Sequence, residues 1–171
     1  MRKLITAIQA NLHNMATFAF ISIALIAGAQ AVRADTGDQE SNKATVQRAF
    51  DAWAAGTGSP YDLLADNVTW TITGNSLASR TYTSREAFLG EVIRPFNARM
   101  RIGLKPTIRS IYAEGDTVVV FFDANGTARD GKPYANTYAW FLALRGGKII
   151  HAFAFFDSIT FNDLWNRVSP Q

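Results

Sequence analysis

The second half of the chain most constrains the fold, because it reads as four long strands separated by very short breaks. The strands span about 101–113, 117–129, 132–145 and 148–160, and the breaks read EGD, DG and GG. Asp-Gly and Gly-Gly are typical of two-residue hairpin turns, whose backbone angles glycine adopts without strain. The pattern therefore predicts an antiparallel meander of four strands.

The first half of the chain predicts helices and one strand. The stretch NKATVQRAFDAWAAGTG has apolar residues at helical spacing, with Asn42 as the expected N-cap and Gly56 as the stop. SPYDLLA predicts a short helix, NVTWTIT a strand, and TSREAFLGEVIRPFNARM a third helix that Pro95 should kink or end. This order predicts an α+β domain in which a curved antiparallel or mixed sheet wraps over three N-terminal helices.

The first 34 residues have the features of a secretory signal peptide. Arg2 and Lys3 precede an apolar run that starts at Met15, and small-residue sites AQA and VRA follow. An uncleaved anchor is the alternative, although the run is short for a membrane span, and Met15 is an alternative start. We expect a signal peptide over 1–34, a flexible leader over 35–42, one domain over 43–168, and a secreted or periplasmic location.

The basic character of the chain belongs to that N-terminal segment. The whole sequence has a net charge of +3, but residues 35–171 contain 14 basic and 14 acidic side chains. Charge therefore gives no reason to expect binding to nucleic acid or to a membrane after signal removal. The chain has no cysteine, which excludes thiol chemistry and cysteine metal ligands. We expect neither a metal nor a cofactor.

Turn length fixes which residues of the meander share a face. If Asp130-Gly131 and Gly146-Gly147 are the loops, one face carries a polar end and an aromatic wall, an arrangement typical of a small-molecule pocket. Its residues are Asn125, Asn136, Asp157, Asp123, Tyr138, Phe155, Phe121, Trp140, Phe153, Leu142 and His151. The opposite face is small and apolar, and we expect a homodimer that buries Ala139, Ala152 and Phe156 there.

Asp157 lies where the last strand meets this polar end. Among aromatic side chains its pKa should rise toward the range useful to a general base, with Asn136 orienting it. The alternative interpretation is that Asp157 only caps the closing turn. His151 lies six residues away, roughly 20 Å along the strand, so the two do not form a dyad.

Four segments together resemble the SnoaL-like domain of the nuclear transport factor 2-like, ketosteroid-isomerase-like superfamily. They read RAFDAWAAG, YDLLADNVTWTITG, SREAFLGEVIRPF and YANTYAWFLALRGGKIIHAFAFFDS. The resemblance covers about residues 43–163 and implies a cone-shaped, cystatin-like α+β barrel with a pocket between sheet and helices. It implies that Tyr61 and Trp70 line the pocket and that Asp157 matches the acid/base aspartate of the family's cyclases.

Other members of the superfamily match less well. Epoxide hydrolases of this type need an arginine on the penultimate strand, where this chain offers Asn136, Tyr138 and Trp140. The protonated carboxyl of ketosteroid isomerases is also missing, because Tyr138 and Ala139 occupy the nearest positions.

Two functions follow from these observations. The first is an exported protein that binds an apolar or cyclic ligand, with no assigned turnover. The alternative is a cofactor-independent isomerase, cyclase or dehydratase that uses Asp157 as general acid/base, with Tyr138 and Asn136 as its partners. The expected ligand contacts are Tyr61, Trp70, Asp123, Asn125, Trp140, His151, Phe153 and Phe155.

Overall fold

The computed structural model describes residues 38–170. All but the first of these belong to one compact unit. The expected signal peptide lies outside the described residues. Within them, no helix combines the length and apolar character needed to cross a membrane.

Helix α1 covers residues 38–55 and turns Val46 and Phe50 into the core. It is already helical four residues before Asn42, so the expected N-cap and the last part of the expected leader are helical instead. Gly56 ends the helix as expected: its φ of 76° is the left-handed conformation that terminates many helices. A 3-10 turn over Pro60–Leu63 follows, capped by Ser59 and Asp62 in a capping box.

Helix α2 covers residues 85–97 in three sections, Arg85–Phe88, Leu89–Ile93 and Arg94–Asn97. The Ser84 side chain caps its start by accepting from the backbone of Ala87. The middle section is a π-helical turn that ends two residues before Pro95. Proline has no N–H to donate to the preceding turn, so regular α-helical spacing is broken where a kink was expected.

Six strands form one sheet in the order β2-β1-β6-β5-β4-β3. Strand β1 pairs in parallel with β6, and the other neighbours are antiparallel. The strands are β1 Leu64–Ile72, β2 Thr81–Tyr82, β3 Met100–Glu114, β4 Thr117–Ala128, β5 Pro133–Arg145 and β6 Lys148–Phe156. Register shifts interrupt three of the pairings, as is usual in a curved sheet, and helix α3, Ser158–Arg167, follows β6. The expected α+β fold with a mixed, curved sheet is confirmed.

The loop between β4 and β5 is one residue longer than expected. Ala128 accepts from Gly131 N at 3.0 Å and donates to Lys132 O at 2.9 Å, which leaves residues 129–131 as a three-residue loop. Gly131 has a φ of 85°, which suits the final position of such a loop. Asn136 therefore pairs with Ala124 rather than Asn125, and Tyr138 pairs with Phe122 rather than Asp123.

The loop between β5 and β6 is the expected Gly146-Gly147 turn, with Arg145 opposite Lys148. A bulge follows at once: Leu144 pairs with Ile149, but Ala143 pairs with His151. Ile150 is the extra residue, and every later residue of β6 moves to the opposite face from the one expected.

The two shifts correct the predicted faces of β4 and β6. The expected face of β5 is confirmed, because Asn136, Tyr138 and Trp140 are all buried on the inner, helix-covered face of the sheet. Their neighbours there are Phe122, Ala124, Ala152, Ala154 and Phe156. The outer face instead carries five residues that were expected on the inner face: Asp123, Asn125, His151, Phe153 and Phe155. The expected dimer surface is therefore wrong as a single surface, since Ala152 and Phe156 face inward while Ala139 faces outward.

Candidate ligand-binding cavity

A small cavity lies between the inner sheet face and the helices. Its volume is about 50 Å³, about a third of the roughly 150 Å³ of an engineered cavity that holds benzene. It accommodates a group of a few atoms, and a ring-sized ligand must displace side chains of the wall. The lining consists of Trp53, Tyr61, Trp70, Ile72, Phe88, Val92, Ile93, Phe96, Leu104, Tyr138, Trp140, Ala154, Phe156 and Phe161.

Aromatic rings form the cavity wall and contact one another closely. Trp140 stands edge-to-face with Trp70 at 5.1 Å and is stacked parallel to Trp53 at 6.2 Å. Trp70 in turn stacks on Phe88 of α2 at 4.4 Å between ring centroids. Such contacts stabilise the wall beyond the burial of its area and fix its shape.

Five residues of this apolar lining carry polar side-chain groups, each able to donate a hydrogen bond: Trp53, Tyr61, Trp70, Tyr138 and Trp140. Burial raises the pKa of both tyrosine hydroxyls, so they stay neutral hydrogen-bond donors at any physiological pH. The indole Nε1 of Trp70 is buried and has no acceptor among the described residues. A buried donor without a partner costs about 1–3 kcal/mol, which is a reason to look for a ligand there.

A chain of hydrogen bonds leads from Asn136 to the cavity. The Asn136 amide nitrogen donates to Asp157 O at 3.0 Å and to the Tyr134 hydroxyl at 3.1 Å. The Tyr134 hydroxyl is 3.1 Å from that of Tyr138. Sequence reasoning missed Tyr134, although positions 134, 136 and 138 alternate along one strand and so share a face.

The side chain of Asp157 does not enter the cavity. It caps α3: Oδ1 accepts from Ile159 N at 2.9 Å and Oδ2 accepts from the Thr160 hydroxyl at 2.7 Å. The bond from the Thr160 hydroxyl and that from the Ile159 N–H lower the pKa of this carboxyl. The expected rise in its pKa is therefore wrong, and the capping interpretation is the one that the structure shows. Asn136 does lie beside Asp157, but it binds the backbone.

The other predicted polar contacts lie on the outer face. Asp123 accepts from the Thr137 hydroxyl at 2.7 Å and from Arg109 Nε at 2.6 Å, and these bonds lower its pKa. It lines a separate, open polar pocket of about 300 Å³ together with Asn125, Ala135, Asn136, Thr137 and Asp157. The charge of Asp123 could have predicted this outer position from the sequence, because a carboxylate favours the solvent-exposed face of a sheet.

The predicted aromatic contacts of β6 also lie outside. Phe153 and Phe155 are 42% and 43% exposed, and His151 packs edge-on against Phe153 at 4.6 Å. Of the expected ligand contacts, the structure brings Tyr61, Trp70 and Trp140 together at the cavity, and Tyr138, expected as a partner of Asp157, joins them there.

The cavity can bind and orient a molecule through aromatic contacts and hydrogen-bond donors. Its lining contains no carboxylate, imidazole or amine that would serve as a general base near neutral pH. Among residues 38–170, no group of three or more His, Cys, Asp or Glu side chains is placed to hold a metal ion.

The sequence of residues 46–152 matches the SnoaL-like domain. This chain belongs to that family. The match covers most of the sheet and the helices that enclose the cavity. No curated protein matches the sequence.

Solved structures share the fold of this SnoaL-like protein. Bal32a, from a soil-derived mobile gene cassette, is 20% identical with a TM-score of 0.61, over 75% of this chain and 98% of its own. An NTF2-like protein of Burkholderia thailandensis is 22% identical with a TM-score of 0.60, over 72% and 95% of the two chains. A putative SnoaL-like polyketide cyclase of a Jannaschia species is 19% identical with a TM-score of 0.60, over 75% and 94%. At these identities the likeness shows the fold alone.

Proposed function

We propose that this SnoaL-like protein is an exported protein that binds a small, uncharged, largely apolar molecule within its cavity. The composition of the lining carries the proposal: aromatic and aliphatic side chains surround a few hydrogen-bond donors, and no charged group is present. A charged ligand would lose its hydration there without gaining a partner of opposite charge.

Catalysis by Asp157 has no support in this geometry. Its carboxylate faces α3, its pKa is lowered, and it is absent from the cavity lining. The isomerase, cyclase or dehydratase function remains a prediction from family resemblance. A putative isomerase from Bacillus subtilis shares the fold at 15% identity, which does not carry the activity over.

Blocking the cavity tests the binding proposal. Three of the four tryptophans, Trp53, Trp70 and Trp140, line it, so their fluorescence reports occupancy. We expect cyclohexanone to change the fluorescence saturably in the native protein. Ala154→Phe, which fills the cavity, should abolish the change, and Ala135→Phe, on the exposed outer face, should preserve it.

Two outcomes would count against binding in the cavity. One is a native protein with no saturable response to neutral ring compounds. The other is an Ala154→Phe variant that is folded by circular dichroism and still responds like the native protein. Mass spectrometry of the protein purified from its own host would then identify any molecule it carries.

Export and self-association are further parts of the proposal. Export is supported by the signal-like sequence of residues 1–34 and is checked by N-terminal sequencing of the exported protein. For self-association we propose a homodimer through the outer sheet face. Phe141, Phe153 and Phe155 lie there on adjacent strands and are each 40–43% exposed.

A further inference from the structure

We propose that Asn136 is a positioning residue that sets the direction of the hydrogen bonds between Tyr134 and Tyr138. The cavity then presents donors, and it selects uncharged ligands that carry an acceptor oxygen, such as a ketone. This inference rests on the proposed binding function and names the ligand class for the same cavity.

The orientation of the Asn136 amide is fixed by the backbone around it. Its Oδ1 accepts from Thr137 N at 2.8 Å and from Asp157 N at 3.0 Å. Both partners are backbone donors, so only the amide oxygen can occupy that position. Its Nδ2 is therefore the atom that contacts Asp157 O and the Tyr134 hydroxyl, and it donates to both.

The orientation of the Asn136 amide fixes the direction of the hydrogen bond between Tyr134 and Tyr138. The Tyr134 hydroxyl accepts from Asn136, and its own proton needs an acceptor, since the side chain is only 2% exposed. The Tyr138 hydroxyl, 3.1 Å away, is the acceptor that the structure offers. If Tyr138 donated instead, Tyr134 would accept twice and its proton would be buried without a partner, whereas Tyr138 lines the cavity, where a ligand can accept its proton. Tyr138 consequently keeps its own proton for the cavity that it lines.

Trp70 gives the cavity lining a second hydrogen-bond donor without a partner. Its indole nitrogen can only donate, and it is buried without an acceptor among the described residues. Tyr138 and Trp70 both line the cavity, so a ligand acceptor within reach of either residue gains a hydrogen bond. A shape-matched hydrocarbon leaves those donors unpaired.

Two probes of the same shape test the selection. Cyclohexanone carries the oxygen, and methylenecyclohexane replaces it with a methylene group. For the native protein we expect a dissociation constant about threefold to tenfold lower for the ketone, the usual effect of one hydrogen bond. Tyr138→Phe should reduce this preference while methylenecyclohexane still binds.

The variant Asn136→Asp tests the positioning role. A carboxylate accepts from the Tyr134 hydroxyl, which reverses the chain so that Tyr138 donates to Tyr134. The ketone preference should fall to the value that Tyr138→Phe shows, with Trp70 as the remaining donor, whereas a merely structural role would weaken both probes equally. A folded variant that keeps the full native preference overturns the inference.

The remaining outcomes separate this inference from the binding function. If both probes bind the native protein equally, the inference fails and binding stands; if neither binds, both fail. Neutron diffraction of the deuterated, ligand-free protein locates the hydroxyl deuterons directly, without any probe. We expect the Tyr134 deuteron between the two hydroxyl oxygens. A Tyr138 deuteron in that position overturns the inference, even if Asn136→Asp does not fold.

Discussion

At the scale of single residues, polar side chains near the end of β6 satisfy backbone groups. Asn136 makes four hydrogen bonds, three of them to backbone atoms of Thr137 and Asp157. Asp157 caps α3 by accepting from Ile159 N and from the Thr160 hydroxyl. A carboxylate at the N-terminus of a helix is also favoured by the helix dipole. The position that resembles a catalytic aspartate is therefore explained by the start of a helix.

Replacing Asp157 by alanine should destabilise the domain by about 0.5–2 kcal/mol, the usual cost of a lost cap, and leave cyclohexanone binding unchanged. Asp157→Asn should cost less, because asparagine also caps. The pKa of Asp157 in the folded protein lies below its ordinary value of 3.8. The extra stability that the ionised Asp157 gives over the alanine variant is therefore fully present above pH 3.8, and it is lost as the pH falls through the lower pKa of the folded state. Urea unfolding at several pH values measures both effects. Lost binding in the folded Asp157→Ala variant would contradict a purely capping role.

At the scale of elements, two local irregularities decide which residues of β4 and β6 face inward, and Ala154 and Phe156 of β6 thereby line the cavity. The three-residue loop at 129–131 sets the face of β4, and the bulge at Ile150 sets the face of β6. A shift of one residue moves every later side chain to the other face of the sheet. Helix α2 also lines the cavity, and its π-helical turn supplies two of the lining residues, Val92 and Ile93. The flanking sections of the helix supply Phe88 and Phe96.

Gly131→Ala should destabilise the domain by about 1 kcal/mol. Open space surrounds the position, so the cost comes from the φ of 85°, which alanine adopts with strain. Gly103→Ala is the matched control: space around it is equally open and its φ is not in the left-handed region, so its stability should stay equal or rise slightly. Thermal melts of the two variants make the comparison. Equal effects at both positions would exclude the assigned loop conformation.

At the scale of the whole molecule, the sheet has two faces with different roles. The inner face and the helices enclose the aromatic cavity. The outer face exposes Phe141, Phe153 and Phe155, with Phe141 and Phe155 in edge-to-face contact at 5.8 Å. Exposed apolar clusters of this kind mark interaction surfaces in soluble proteins, and a second copy of the same face is the partner we propose.

Charge on the outer face should separate the proposed dimer. We expect the native protein to have the mass of a dimer by light scattering at tens of micromolar, and Phe153→Lys to have the mass of a monomer. Leu77→Lys is the control, because Leu77 is 59% exposed but lies outside the sheet, so this variant should remain dimeric. A monomeric native protein would refute the dimer. Loss of the dimer in both variants would refute its assignment to this face.

The sequence by itself determined the family and most of the elements. It did not indicate β2, and it extended the last strand to residue 160, whereas β6 ends at Phe156 and α3 begins at Ser158. Helix-spaced apolar residues, Gly56 and Ser84 placed the helices, and short breaks placed the strands of the meander. Alternation along β5 correctly grouped Asn136, Tyr138 and Trp140 on one buried face. These features are local, so neighbouring residues are enough to specify them.

Only the tertiary structure decided which faces of β4 and β6 look inward. The segment IIHAFAFF of β6 is apolar at both parities, so its pattern favours neither face. Asp130-Gly131 suits a two-residue or a three-residue loop, and a bulge at Ile150 has no signature in the sequence. Packing settles the choice, because Ala152 and Ala154 face the helices while the bulkier Phe153 and Phe155 face outward. That choice depends on contacts between residues far apart in the chain, which no local pattern records.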